Sequence, residues 1–269
     1  RLPGAEHYDF DHHHANLGDI HELAVKIVER GIESHTNRRE VPVAIPQYET
    51  EVEVGFSSEF AQRRYGLDAI ADALREGRIR GIVNLVGCNN PRIVYEKAIV
   101  EVADYLIKHD VLVMTNGCAS FPLMKLGYCS TKALDQAGEG LRGFLGDVPP
   151  VGQMGECLDN ARASALFCGV AAESGHAIKD LPFAFASPEW SNEKGICAAL
   201  AFRLLGMNSY HSVYAPTQGS EKVTEFMEHG TKPLLGSEMV VDVDHQALAK
   251  RIVEDMDARR RALGWKVNG

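Results

Sequence analysis

From Leu67 to the end of the chain, short apolar runs alternate with longer stretches in which apolar residues return every three or four positions. A short run of aliphatic residues reads as a strand buried on both faces, whereas the three-to-four spacing reads as a helix with one buried face. The pattern predicts helix over 69–76, strand over 81–86, helix over 91–109 and strand over 111–115. A second round follows, with helical segments over 119–126 and 131–145, strand over 151–154 and helix over 160–172. Next come the strand-like PFAFAS, a helix over 192–205, a short strand in SYHSVYA, a helix near 221–229, the strand EMVVDV and a terminal helix over 246–263. Strands alternating with helices imply βαβ crossovers. The expected fold class is therefore α/β, a doubly wound Rossmann-like domain with a mostly parallel sheet and helices on both faces.

Residues 1–66 have another rhythm. A polar start leads into a helix over 19–35, with Leu23, Ala24, Ile27, Val28 and Ile32 on one face, and then into the proline-punctuated VPVAIPQYETEVEVGF. One helix without a repeating unit around it reads as a helical and extended connector, or the tail of a preceding domain, with 67–269 as the domain proper.

Composition narrows the partners. The chain has 269 residues, 45% hydrophobic and 24% charged, with a formal net charge of -9. This balance argues against nucleic acid, which requires a clustered basic face. Arg259, Arg260 and Arg261 are the one compact basic cluster; beside Glu254, Asp255 and Asp257 they read as a solvated helix face. No run of roughly 20 apolar residues is present, so no transmembrane segment is expected. The N-terminal residues are polar and acidic, unlike a signal peptide, and the expected location is cytoplasmic. In such a reducing compartment the six cysteines are better read as ligands, nucleophiles or core residues than as disulfides.

Three of them share a position. Cys88, Cys118 and Cys157 each follow an apolar run and precede a helical pattern, in GIVNLVGCNNP, VLVMTNGCAS and PPVGQMGECLDN. Strands of a parallel sheet end at such junctions, and the loops there converge on a common crevice. Three thiols in equivalent places point to a soft-metal site. The partial positive charge of helix N-termini should lower the pKa values of Cys88 and Cys157, with Asn90 and Pro91 as an N-cap and N1 pair behind Cys88. Three thiolates fall short of the four ligands of a closed zinc site or an ordinary iron–sulfur cluster, so further donors must come from elsewhere. Cys168 and Cys197 lie in apolar helical segments and read as core, while Cys129 follows a helix end. Lys194, in FASPEWSNEKGICAAL, falls in the first turn of a helix, where a cation opposes the dipole. That placement lowers its expected pKa and aims its ammonium at the same crevice, where it can donate to an anionic oxygen. Gly138, Gly140 and Gly143 spell G-x-G-x-x-G, but TKALDQA before them reads as helix, whereas a dinucleotide fingerprint follows a strand. His12, His13 and His14 read as part of a polar terminus rather than a metal site.

In order, GIVNLVGCNNP, TNGCA, GECLDNAR and SPEWSNEK resemble the C-terminal portion of the nickel-dependent anaerobic carbon monoxide dehydrogenases; VGFSSEF and EMVVDVD extend the likeness over most of the chain. The hybrid-cluster (prismane) protein, similar in fold, lacks this combination. The resemblance implies oxidation of CO with water to CO2, two protons and two electrons at a nickel–iron–sulfur C-cluster. Carried over by motif, Cys88 and Cys118 ligate cluster iron, Cys157 is the thiolate shared with nickel, and Lys194 hydrogen-bonds an oxygen of bound CO2. The resemblance also implies an N-terminal remainder holding further C-cluster ligands and 4Fe–4S clusters, a homodimer and a ferredoxin-like electron acceptor.

Departures accompany the likeness. Glu156 and Ala161 stand where Ser-like residues are expected, and Ala198, one turn after Lys194, replaces a larger aliphatic residue. A second reading is a non-catalytic cluster-binding or assembly module related to the hybrid-cluster protein fold, motivated by the incomplete ligand set. A cysteine enzyme without metal is disfavoured because no histidine occupies an equivalent strand-end position to act as base.

Overall fold

The computed structural model describes residues 20–37, 42, 44, 47, 49, 51–214 and 217–267. The histidines at 12–14 lie outside them. The chain divides into compact units of residues 1–49 and 50–269. In the smaller, the helix predicted over 19–35 is α1, Ile20–Asn37.

In the larger unit, α2 (Ser58–Arg64) and α3 (Leu67–Glu76) precede β1 (Gly81–Val86), α4 (Lys97–Lys108) and β2 (Val111–Asn116). Then come α5 (Ser120–Lys125), α6 (Glu139–Leu145), β3 (Val151–Gly155), α7 (Asn160–Ser174) and β4 (Phe183–Ala186). The chain continues through α8 (Glu193–Leu204), β5 (Asn208–His211), α9 (Glu221–Glu225), α10 (Lys232–Leu235), β6 (Met239–Val241) and α11 (His245–Ala262). The six strands form one sheet in the order β3-β2-β1-β4-β5-β6, and each neighbouring pair is parallel. This is the doubly wound α/β fold expected.

Every residue of β1 and β2 is buried, as in a parallel sheet covered on both sides. The α4 crossover runs from β1 towards one sheet edge and the α7 crossover from β3 back towards the other, so right-handed connections place these helices on opposite faces. α11 packs on α4, and α3 on α7. The order in which strands are added to the sheet reverses between β1 and β4, which leaves a crevice beyond their carboxyl ends.

Four differences from expectation have physical causes. α2 was not anticipated; Ser57 caps it by accepting from Phe60 N at 3.2 Å, and Phe56 and Ala61 bury into the core. The helix predicted from Pro91 begins only at Lys97, because Glu96 adopts a left-handed φ of 62° and the cap comes from far along the chain. The fully buried Glu189 carboxylate accepts from Glu96 N at 3.0 Å, Ala98 N at 2.9 Å and Ile99 N at 3.3 Å. The segment 131–145 divides into a 3-10 turn, Thr131–Gln136, and α6. Finally, Arg260 is not part of a solvated face. Its guanidinium is fully buried and donates to the carbonyls of Leu74, Ile79 and Arg80, closing the end of α3, while Arg259 pairs with Asp255 at 3.1 Å.

Glu189→Ala leaves three buried N–H groups without an acceptor, so unfolding stability should fall by about 2–4 kcal/mol in a denaturant titration. An unchanged midpoint would show that α4 starts without this cap.

Candidate metal-cluster site

The three cysteine loops meet at the carboxyl edge of the sheet. Gly87, just before Cys88, has a φ of 125°, and a Cβ there would collide with Ser187 Oγ at the end of β4. Asn90 ties the same two loops together, its Nδ2 donating to Trp190 O at 2.7 Å and its Oδ1 accepting from Arg92 N at 2.9 Å. It is therefore a loop clamp rather than the helix cap expected.

Cys118 lies within the 3-10 turn Gly117–Ala119, and Ala119 N donates to Gly87 O at 3.1 Å, joining the β2 loop to the β1 loop. Cys157 opens the 3-10 turn Cys157–Asp159, held by reciprocal Glu156 and Asp159 side-chain caps. Gly117, at a φ of 66°, makes room for it: a Cβ on Gly117 would stand 2.6 Å from Cys157 Sγ. Glycine is required there both for the left-handed backbone and for the sulfur's approach.

Lys194 occupies the first turn of α8, where the Asn192 side chain accepts from its backbone N at 3.0 Å. It is exposed and lines one narrow pocket with Cys88, Cys157, Asn116, Asn160 and Ala198. Gly195 lets the helix start come close, since a Cβ there would be 2.9 Å from Trp190 Cβ. The structure thus brings Cys88, Cys157 and Lys194 to a single pocket. Cys118 stands beside it, exposed, and interacts electrostatically with both other thiols.

Desolvation first, then repulsion from Cys157, Cys88 and Glu156, lifts the Cys118 thiol above its ordinary pKa. A three-residue 3-10 turn has little dipole to set against this crowding of ionisable groups. Crowding of this kind is relieved by a bound cationic centre, which holds thiols in the thiolate form. Among the described residues no three His, Cys, Asp or Glu side chains converge closely enough for one metal ion. An iron–sulfur cluster takes each thiolate at a different metal atom, so this separated soft-donor set fits part of the shell of a polynuclear cluster better than a mononuclear site.

The other cysteines separate. Cys129 is fully buried, and burial pushes its thiol up to about 12, which suits an inert core residue. Cys168 and Cys197, expected in the core, are exposed. Both α7 and α8 are apolar around most of their circumference, so sequence spacing does not reveal which side faces inward. Gly138 is the N-cap of α6 and follows a 3-10 turn rather than a strand, in keeping with an accidental glycine pattern. Glu189, which holds α4 against the β4 loop, escaped notice; its signal was an acidic residue within the otherwise apolar approach to Trp190.

Behind the β4 loop, His211 of β5 is completely buried and its Nδ1 lies 3.2 Å from Ser187 O, where it serves as the donor. Burial lowers its pKa from 6.5 to about 4, with the Arg203 guanidinium adding to the effect. The unfolded chain therefore takes up a proton below pH 6.5 that the folded one refuses until about pH 4. Stability present above 6.5 should decline as pH falls to 4, by up to about 3 kcal/mol. Guanidinium titrations at pH 7 and pH 4.5 check this, and His211→Gln should flatten the difference. An equal pH dependence in the variant would assign the decline to other groups.

The chain matches the Prismane/CO dehydrogenase family over residues 1–246. It is 33% identical to carbon monoxide dehydrogenase 1 of Methanosarcina mazei over 98% of this chain and 42% of that protein. Among solved structures, carbon monoxide dehydrogenase from Thermococcus sp. AM4, nickel-free as isolated, aligns with a TM-score of 0.90 at 35% identity, covering 99% of this chain and 42% of that one. Carbon monoxide dehydrogenase IV from Carboxydothermus hydrogenoformans aligns with a TM-score of 0.88 at 33% identity, covering 98% and 44%. The chain spans less than half the length of each. With the family matched over most of its residues and relatives above 30% identity along nearly its whole length, this chain belongs to the Prismane/CO dehydrogenase family.

Proposed function

We propose that this chain is the C-terminal share of a nickel-dependent carbon monoxide dehydrogenase that oxidises CO with water to CO2, two protons and two electrons. The observation that carries the reading is the meeting of three strand-end cysteine loops with the Lys194 helix start around one pocket. In this proposal Cys88 and Cys118 hold cluster iron, Cys157 holds the nickel side, and Lys194 faces the substrate. Residues 1–66 are the connector from a preceding part, which supplies the remaining cluster ligands and the 4Fe–4S clusters. A homodimer, a ferredoxin-like acceptor and a cytoplasmic location complete the proposal; among the described residues no helix is long and apolar enough to cross a membrane.

When bound, the nickel–iron–sulfur cluster supplies the Lewis-acid positions for CO and water and accepts the two electrons. This chain's own residues bind, orient and exclude. The Gly87–Ser187 and Gly195–Trp190 close approaches shut the floor of the pocket and bury Cys88, so a thiolate there acts in low dielectric. Lys194, standing on the first turn of α8, donates to the substrate oxygen that gains negative charge, and its ammonium is aided by the helix N–H groups around it. Asn192 caps that turn and holds the lysine backbone in place.

A second reading, a cluster-binding or assembly module without catalysis, is favoured by the three-thiol donor set. CO-dependent reduction of a viologen dye under anaerobic conditions separates the two. The enzyme reading expects dye reduction once the chain is joined to the remainder found in its relatives. Full nickel and iron loading with no dye reduction would leave the module.

A further inference from the structure

Strands β1 and β2, buried along their whole length, each carry an amide where aliphatic residues are the rule: Asn84 in GIVNLV and Asn116 in VLVMTN. Both are buried, and both reach Asn160 at the start of α7. Asn84 Nδ2 donates to Asn160 Oδ1 at 2.9 Å; Asn116 Nδ2 donates to Asn160 Oδ1 at 3.2 Å and to Asn84 Oδ1 at 3.3 Å. Asn160 Nδ2 in turn donates to Cys157 O at 2.9 Å. Each asparagine stands within a few residues of one site cysteine: Asn84 before Cys88, Asn116 before Cys118 and Asn160 after Cys157. A core polar group breaks the local rule of the strand, and such violations gather where function requires them. One acceptor is left over. Asn116 Oδ1 is buried and has no partner among the described residues, and Asn116 lines the same pocket as Lys194, the lining side chain that carries donors alone.

We infer that Asn84, Asn116 and Asn160 are positioning residues, an amide triad that sets the mutual spacing of the Cys88, Cys118 and Cys157 thiols. This rests on reading those thiols as cluster ligands. Three loops from three strands have no covalent link near their tips. The triad supplies a rigid one just beneath them, because the Asn84 and Asn116 amides are buried and their bonds are costly to break. The spacing is then present before any metal arrives.

Dibromobimane, which bridges neighbouring thiols, tests this on the metal-free protein, with bridged pairs identified by peptide mass spectrometry. The unaltered protein is expected to give Cys118–Cys157 and Cys88–Cys118 bridges. Asn160→Asp keeps both acceptor bonds but loses the donor to Cys157 O; bridging to Cys157 should fall roughly tenfold while Cys88–Cys118 is retained. Asn84→Val suits a buried strand and should have the reverse effect, loosening Cys88 and sparing Cys118–Cys157. Iron bound on anaerobic reconstitution should fall in both variants. The unaltered bridging pattern in both, or a uniform loss of every pair, would overturn the triad. Failure of the unaltered full-length protein to bind iron at these three thiols, with its bridges intact and the two selective losses observed, would sink the cluster reading and leave the spacing role standing.

Discussion

Replacing Cys157 by alanine should abolish nickel-dependent CO oxidation in the full-length protein and reduce its nickel content to background. Cys157 stands at the first position of a tight turn between β3 and α7, and the glycine opposite lets its sulfur pack against the β2 loop. The turn has its own locks: Glu156 N donates to Asp159 Oδ2 at 2.8 Å, and Asn160 Nδ2 donates to the Cys157 carbonyl rather than to the thiol. Alanine therefore removes the ligand and keeps the backbone, and the melting temperature should stay close to that of the unaltered protein. Outer partners of metal ligands already cost about 10–100-fold in affinity when mutated, so loss of a ligand itself should exceed that range. Full nickel occupancy with unchanged turnover would contradict the assignment.

Lys194→Ala should have the second largest effect, and of another kind. Turnover should fall by about 10²–10³, the usual cost of removing one donor aimed at developing negative charge, while iron and nickel contents stay unchanged. Stability should not fall, because an ammonium in the first turn of α8 opposes the helix dipole and its side chain is exposed. Lys194→Arg keeps the charge but changes its reach, and should recover part of the turnover. Parallel loss of metal and activity in the alanine variant would point instead to a structural role for the lysine.

The strands were legible because burial on both faces makes β1 and β2 nearly continuous apolar runs, and their ends carried the cysteines into view. The start of α4 was hidden because its cap, Glu189, lies far along the chain, beyond the reach of any local signal. α2 is a short helix just after the proline-punctuated stretch, too brief to show a period. Arg260 resembled a solvated charge because sequence does not reveal which carbonyls a guanidinium will meet; here they are the buried carbonyls at the end of α3 and in the loop after it. The site divided in the same way. Equivalent positions at three strand ends located Cys88, Cys118 and Cys157, and the helix-start position located Lys194. The asparagines beneath the cysteines form their links only across the sheet, since Asn84 and Asn116 become neighbours through strand pairing and Asn160 joins them from α7.

Anomalous scattering at the iron and nickel absorption edges, from anaerobically grown crystals of the full-length protein, tests the central claim most directly. Iron peaks within bonding distance of the Cys88 and Cys118 sulfurs and a nickel peak beside Cys157 Sγ are expected, with Lys194 Nζ facing the nickel side. Metal peaks confined to other residues, with these three sulfurs free, would contradict it.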